Sequence, residues 1–291
     1  MSVKLSRRVL LVSGMAAFSS ACTQLAFLTA NVPASFGDYS RTRDLAYGAM
    51  SRNKLDVYLP AKPQAAPVVV FFHGGGWNSG DKADYKFVGA ALAEQGYIAV
   101  LPNYRLYPQV KFAGFMQDAA AAVAWVHMHA AEWGGDVRRL YLAGHSAGAH
   151  IAVMLALNEQ YLQAAGMSAG DLRGVVGLAG PYDFLPFRYG YMNDLFGPAD
   201  RYAQSQPINY VRATAPPLLL LQGMQDRTVA PGNTVNLTKA LTATGASVTA
   251  RYYQHADHGD LVAAFSIPAR RRVPVLEALR QFIDASGRTP Q

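Results

Sequence analysis

Short apolar runs alternate with longer helical segments along most of the chain. The runs are rich in aliphatic, β-branched or aromatic residues, which is typical of strands inside a covered sheet. These predicted strands cover residues 67–72, 97–101, 139–143, 174–178, 218–222 and 248–253. The segments between them are amphipathic or rich in alanine, and several end at glycine, a frequent helix terminator. These predicted helices cover residues 84–95, 118–133, 147–158, 234–244 and 273–285.

This alternation predicts an α/β fold with a mainly parallel central sheet flanked by helices on both faces. A strand at 53–60 and a hairpin partner at 43–47 precede the parallel set. Reactive groups in such sheets gather at the carboxyl ends of the strands. The residues that follow each predicted strand are therefore the first candidates for chemistry.

The composition favours a folded enzyme and excludes several other classes of protein. Of the 291 residues, 51% are hydrophobic and 15% are charged, so the chain can bury a sizeable core. The single cysteine, Cys22, excludes an intrachain disulfide and a cysteine-rich zinc site. Apart from a basic start, the net charge of +7 is scattered along the chain, so nucleic-acid binding is not expected.

Residues 1–21 have the layout of an export signal. Lys4, Arg7 and Arg8 form a basic start, and an apolar run at 9–18 is too short to span a bilayer. The paired arginines resemble the twin-arginine export motif. We therefore expect an exported protein of the periplasm or cell envelope.

Cys22 follows three small residues, as in the cleavage box of bacterial lipoproteins. The match is imperfect, because Ser19 stands where that box usually has leucine. Two interpretations stay open: a lipid anchor on Cys22 that tethers the protein to a membrane, or an ordinary signal peptide beside a coincidental cysteine. Residues 22–40 lack a clear period and are predicted to form a tether, which leaves 41–291 as the main domain.

A Gly-x-Ser-x-Gly sequence at 144–148 stands between a predicted strand and a predicted helix. This is the context of a nucleophile elbow, in which two glycines permit a tight turn that projects the serine above the sheet. Ser146 is therefore the candidate nucleophile. The N–H of Ala147, at the start of the helix, is a candidate donor to a developing oxyanion.

Three glycines at 74–76 directly follow the strand that ends at residue 72. A glycine run leaves backbone N–H groups unshielded, and His-Gly-Gly-Gly is the pattern of an oxyanion loop. Gly75 and Gly76 are the candidate donors here, with Ala147 as the third. His73 is predicted to hold the loop by a hydrogen bond rather than to react.

Two further strand ends carry an acid and a base. Asp226 follows the strand at 218–222, and His258 follows the strand at 248–253. The chain order Ser146, Asp226, His258 is that of α/β-hydrolases, and a serine needs an imidazole base oriented by a carboxylate. His255 is a rival base, and Asp183 is a rival acid.

Three histidines, His73, His145 and His150, flank the elbow and the glycine loop and together raise the question of a metal. No carboxylate with ligand spacing accompanies them, so we interpret them as packing around the nucleophile. The sequence predicts neither a metal nor a cofactor.

Four motifs together resemble the α/β-hydrolases of the esterase/lipase superfamily. They are LDVYLP at 55–60, HGGGW at 73–77, NYRL at 103–106 and GHSAGAH at 144–150. The last motif is similar to that of carboxylesterases grouped with feruloyl-esterase-like, isoprenylcysteine-methylesterase-like and kynurenine-formamidase-like enzymes. The resemblance implies a serine hydrolase that cleaves small-molecule carboxylic esters through an acyl-enzyme intermediate.

Two other functions stay open. An amidohydrolase of the arylformamidase type would use the same triad and pass through the same oxyanion. A catalytically inactive module that binds ligands at the cell surface is expected to have lost the serine or the histidine, and both are present. The resemblance also implies a cap inserted after the sixth strand, and the aromatic stretch at 184–215 is predicted to be a short one over an apolar pocket.

Overall fold

The structure, a computed structural model, describes residues 25–286 and is built on one eight-stranded sheet. The strands are β1 (Tyr39–Ala46), β2 (Lys54–Pro60), β3 (Ala66–Phe72), β4 (Ile98–Pro102), β5 (Gly135–His145), β6 (Gly174–Leu178), β7 (Leu218–Gly223) and β8 (Val248–Tyr253). They lie in the order β1-β2-β4-β3-β5-β6-β7-β8. The pairs β1–β2 and β2–β4 are antiparallel, and all other pairs are parallel.

Helices cover both faces of this sheet. They are α1 (25–31), α2 (Lys86–Glu94), α3 (Phe112–His129), α4 (Ala147–Leu157), α5 (Gln160–Ala164), α6 (Tyr191–Leu195), α7 (Gly232–Thr244), α8 (His258–Ala263) and α9 (Val275–Ser286). Val68 and Val70 of β3 join the core beneath α3, α4 and α7, whereas Val69 and Phe71 join the core beneath α2, α8 and α9. The strand is continuously apolar because successive side chains enter opposite cores.

The predicted fold class is confirmed, and the differences lie at the ends of elements. Strands β6 and β8 have the predicted bounds, whereas α3 begins at Phe112 rather than at residue 118. Its first turns carry Phe115 and Met116, which are fully buried, so tertiary packing extends the helix beyond the alanine-rich run. Helix α8 is short, and a capping box formed by Asp257 and Asp260 fixes its start.

The segment predicted to be a tether is folded where the structure describes it, which corrects that prediction. Residues 25–31 form α1, and a 3₁₀ turn at Pro33–Phe36 leads into β1. Phe27 packs on the rings of Tyr85 and Phe87, with centroids 5.2 and 6.5 Å away. The seven described residues of α1 are too few to give a clear period in the sequence. The predicted signal at 1–21 and Cys22 lie outside the described residues.

A buried ion cluster ties the antiparallel edge of the sheet to the loop that follows β3. The carboxylate of Asp56 on β2 is fully buried, and Nζ of Lys82 lies 2.8 Å from its Oδ1. Arg41 on β1 reaches the other oxygen at 2.5 Å, so both oxygens are paired with cations. The N–H of Lys82 also donates to Oδ1 of Asn103, just beyond β4. Paired in this way, the charges can be buried without leaving one uncompensated.

The segment that follows β6 forms the predicted insertion above the carboxyl ends of the strands. It contains α6 and two 3₁₀ segments, Ala199–Ser205 and Pro207–Tyr210. Its aromatic rings pack on Trp77: Phe184 is stacked at 5.9 Å, and Phe196 meets it edge-on at 4.9 Å. The insertion is thus held to the glycine loop by aromatic contacts.

Candidate active site

Ser146 stands on a strained turn between β5 and α4. Its backbone has φ 57° and ψ −122°, a conformation that non-glycine residues rarely adopt. A methyl group added at Gly144 would lie 2.3 Å from the backbone of Gly148, and one added at Gly148 would lie 2.0 Å from the carbonyl oxygen of Phe72. Both glycines are therefore required by close backbone approach. The predicted elbow geometry is present.

The glycine loop lies beside this turn, and its Gly75 and Gly76 line the same cavity as Ser146. Gly75 and Gly76 have φ of 120° and 58°, and a methyl group at Gly75 would lie 2.2 Å from the carbonyl oxygen of Ser79. The N–H of Gly74 already donates to Oη of Tyr85 at 3.1 Å, so Gly75 and Gly76 remain the candidate donors of this loop. Ala147 is the first residue of α4, so its N–H has no partner inside the helix.

Asp226 and His258 lie together although 32 residues separate them in the chain. Nδ1 of His258 is 2.7 Å from Oδ2 of the buried Asp226 carboxylate. The two residues follow neighbouring parallel strands, β7 and β8. The other oxygen of Asp226 accepts N–H bonds from Thr228 and Val229, each at 2.8 Å, which fixes the carboxylate.

Burial alone would raise the pKa of Asp226, because it penalises the charged form. The hydrogen bond and charge attraction from His258, with the N–H donors of Val229 and Thr228, outweigh burial and hold that pKa below its ordinary value. The carboxylate is therefore ionised at neutral pH and can accept a hydrogen bond from a protonated Nδ1 of His258. In an imidazole that carries its one proton on Nδ1, the lone pair lies on Nε2.

His145 supports His258 from below. Its Nε2–H donates to the carbonyl oxygen of His258 at 2.9 Å, and the two ring centroids are 4.6 Å apart. Burial and then the neighbouring His258 lower the pKa of His145 to about 3, so this ring is neutral at physiological pH. A neutral ring beside the candidate base adds no opposing charge when His258 becomes protonated.

His73 and His150 are buried and donate to backbone carbonyls. Nδ1 of His73 lies 2.8 Å from the oxygen of Gly74, and Nε2 of His150 lies 2.7 Å from the oxygen of Ser205. Burial lowers the pKa of each to about 4. Within residues 25–286, no three His, Cys, Asp or Glu side chains are grouped as metal ligands would be.

The rival residues, His255 and Asp183, are not in contact with each other's proposed partners: His258, not His255, contacts Asp226. His255 is exposed in the turn after β8, three residues before the histidine that contacts Asp226. Asp183 accepts a hydrogen bond from Nδ2 of Asn236 at 2.7 Å. The structure therefore brings His258 to Asp226 rather than to Asp183.

Two cavities meet at Ser146. The first, the cap cavity, has a volume of about 360 Å³ and is lined by Leu185, Tyr189 and Met192 of the insertion. The second, the histidine cavity, has a volume of about 840 Å³ and is lined by His258 and by residues of α1. Gly76 also borders both cavities.

Several groups that the sequence analysis did not single out hold the glycine loop. The hydroxyl of Tyr191 in the cap donates to the oxygen of Gly76 at 3.1 Å. Arg52 donates to the oxygen of Gly80 at 2.9 Å. Each partner lies far from the loop in the chain, so no local spacing could have identified it.

A family model named BD-FAE matches residues 55–241, which include the elbow, the glycine loop and Asp226. The chain belongs to the BD-FAE family. The match begins in β2 and ends within α7, so α1, β1 and His258 lie outside it. The superfamily resemblance stated from the four motifs is confirmed.

Two curated relatives of this chain are ester hydrolases by name. It is 30% identical over 250 residues to a probable isoprenylcysteine alpha-carbonyl methylesterase of Arabidopsis thaliana, covering 78% of this chain and 52% of the relative. It is 31% identical over 218 residues to a probable carboxylic ester hydrolase of Mycobacterium tuberculosis, covering 67% and 50%. The chain thus spans about half the length of these relatives.

A solved structure matches nearly the whole BD-FAE chain. Esterase B from Lactobacillus Rhamnosis superimposes with a TM-score of 0.80 at 25% identity, covering 96% of this chain and 95% of that one. The α/β-hydrolase fold is therefore confirmed.

The contact at Gly148 gives the first prediction. We expect Gly148→Ala to lower the free energy of unfolding by about 3 kcal/mol or more, because its methyl group would meet a backbone oxygen that cannot move aside. Gly232→Ala is the matched control, since it also lies in a helical first turn but has no atom within 4 Å of an added methyl. The control should be neutral or stabilising by up to about 1 kcal/mol. Urea unfolding of both variants makes the comparison, and equal midpoints would contradict the prediction.

Proposed function

We propose that the protein hydrolyses carboxylic esters, with Ser146 as nucleophile, His258 as general base and Asp226 as the residue that orients it. The observation that carries the proposal is the 2.7 Å contact of His258 with Asp226 beside a serine held on a strained elbow. The esterases among the similar proteins support the reaction class.

The first half of the reaction makes an acyl-enzyme. Nε2 of His258 takes the hydroxyl proton as Oγ of Ser146 attacks the ester carbonyl carbon. The carbonyl oxygen becomes an oxyanion that the N–H groups of Gly75, Gly76 and Ala147 stabilise. The carbon–oxygen bond to the alcohol then breaks, and His258 gives its proton to the departing alkoxide.

The second half releases the acid. Water gives a proton to Nε2 of His258 and attacks the acyl carbon, which forms a second oxyanion in the same donor set. Collapse of this intermediate returns the proton to Ser146 and frees the carboxylic acid. Asp226 stays ionised throughout and stabilises the imidazolium each time it forms.

Ser146→Ala tests the mechanism. We expect the variant to fold normally and to lose about 10⁴- to 10⁶-fold in kcat, as triad members do elsewhere. A fluorophosphonate probe should label the native protein at Ser146 and leave the variant unlabelled.

An assay of p-nitrophenyl acetate beside N-formylkynurenine should give the higher kcat/KM for the ester. A preference for the formamide would favour the arylformamidase alternative, and an unlabelled native protein would favour the inactive module.

Asp226→Asn tests the orienting acid, with Asp183→Asn as its control. An asparagine amide would support the wrong imidazole tautomer and could not stabilise the cation. We expect kcat to fall by about 10³- to 10⁴-fold in Asp226→Asn and by less than about 10-fold in Asp183→Asn. Steady-state kinetics on one ester decide the matter, and the reverse order would place the acid on β6.

We propose that the protein is exported and held at a membrane by lipid on Cys22. The basic start, the short apolar run and the small residues before Cys22 support this. No helix among the described residues has both the length and the apolar character to cross a bilayer. A single acyl chain binds a membrane only marginally, so lasting attachment needs more than one chain.

Cys22→Ser tests this localisation. In a bacterial host, the native protein should incorporate labelled fatty acid and sediment with membranes, whereas the variant should take up no label. Native protein that is unlabelled and found in the soluble periplasm would show that Cys22 carries no lipid and that the export signal is an ordinary one. Native protein that keeps Met1 and stays in the cytoplasm would end the export proposal as well.

A further inference from the structure

The two cavities at Ser146 share Gly76 and Thr228 but are otherwise lined by different residues. His258 and His145 line only the histidine cavity, whereas Leu185, Tyr189 and Met192 of the insertion line only the cap cavity. Phe27, Leu28 and Asn31 of α1 form the far side of the histidine cavity. These three residues precede residue 55, where the BD-FAE match begins.

The proposed reaction decides which part of the ester enters each cavity. The alcohol must leave on the side from which a proton can reach its oxygen, and that proton comes from Nε2 of His258. The alcohol therefore lies on the side of the histidine cavity. The acyl group remains bonded to Ser146 and lies on the opposite side, in the cap cavity.

We propose that α1 is the specificity wall for the alcohol part of the substrate, with Leu28 as its contact residue. This inference rests on the proposed function and extends it to a substrate class: esters whose alcohol carries an apolar chain of several carbons. Apolar groups at this wall remove a hydrocarbon chain from water, which strengthens the binding of such alcohols over methanol.

Hydrogen bonds and aromatic packing hold α1 in a fixed position beside the cavity, as selection of a substrate requires. Nδ2 of Asn31 donates to the oxygen of Asp84 at 2.9 Å, and Oδ1 of Asn31 accepts from the N–H of Phe87 at 3.0 Å. Phe27 packs on the ring of Tyr85, whose hydroxyl accepts the N–H of Gly74 in the glycine loop. Tyr85 therefore links α1 to the glycine loop.

Leu28→Ala in the full chain tests the wall, and Leu25→Ala is its matched control. Both leucines lie on α1 and are similarly exposed, at 59% and 63%, but Leu28 lines the cavity and Leu25 does not. Leu185→Ala tests the opposite side, because Leu185 is 41% exposed and lines the cap cavity. All three substitutions remove surface side chains, so each variant should fold.

Two ester series separate the two cavities. The first fixes the acid as acetate and lengthens the alcohol from methyl to hexyl, and the second fixes the alcohol as methyl and lengthens the acid from acetate to hexanoate. Leu28→Ala should lower kcat/KM for hexyl acetate by about 3- to 10-fold relative to methyl acetate, since a lost apolar contact discriminates at about this level when part of the side chain is exposed. It should leave the acid series unchanged. Leu185→Ala should do the reverse, and Leu25→Ala should change neither series.

The outcomes are distinct. If Leu28→Ala alters the acid series instead, the assignment of alcohol and acyl sides is wrong. If it alters neither series, or if Leu25→Ala has the same effect, α1 is no specificity wall. Fluorophosphonate labelling carried to completion should mark Ser146 in each variant as it does in the native protein, because none of the three substitutions removes Ser146, Asp226 or His258. Failure of the native protein to be labelled would overturn the proposed function itself and is separable from either result.

Discussion

The approach of α4 to the end of β3 is the contact on which the site depends. Gly148 lies so close to the carbonyl oxygens of Phe72 and His73 that a methyl group there would be 2.0 and 2.6 Å from them. This approach sets Ser146, two residues earlier, beside the glycine loop that starts at His73. A larger side chain would move the proposed nucleophile away from its oxyanion donors. The same backbone contact therefore limits the sequence and assembles the proposed chemistry.

The glycine loop has little conformational preference of its own, so other residues hold it in place. Oη of Tyr85 accepts the N–H of Gly74, and Arg52 donates to the carbonyl oxygen of Gly80. Lys82 lies just beyond the loop and is buried against Asp56 of β2. This ion pair links the glycine loop to the antiparallel edge strands. Removing one member of a buried ion pair leaves an uncompensated charge. Edge strands far from the serine thus contribute to the geometry of the donors.

The sequence predicted those parts of the molecule that depend on local pattern. The parallel strands are continuously apolar, and the elbow and the loop are marked by glycine, so both were predicted before their geometry was known. The pairing of Asp226 with His258 followed from the rule that strand carboxyl ends share one edge. In contrast, α1 was missed because its seven described residues give no clear period, and the role of Lys82 was missed because its partner, Asp56, is 26 residues away. The position of α1 and the role of Lys82 both depend on tertiary contacts, which a local sequence pattern does not reveal.

The position of α1 connects the proposed lipid anchor on Cys22 with the proposed selection of the alcohol by Leu28. Leu25 follows Cys22 by three residues, so their Cα atoms can be no more than about 11 Å apart. In the proposed lipoprotein, only a short length of chain would therefore separate the lipid from α1, the helix that carries Leu28. Alcohols with apolar chains concentrate at a lipid surface for the same reason that they would bind this wall, since both remove hydrocarbon from water. An anchor at this point places the cavity where such esters accumulate, so attachment and specificity would act in the same direction.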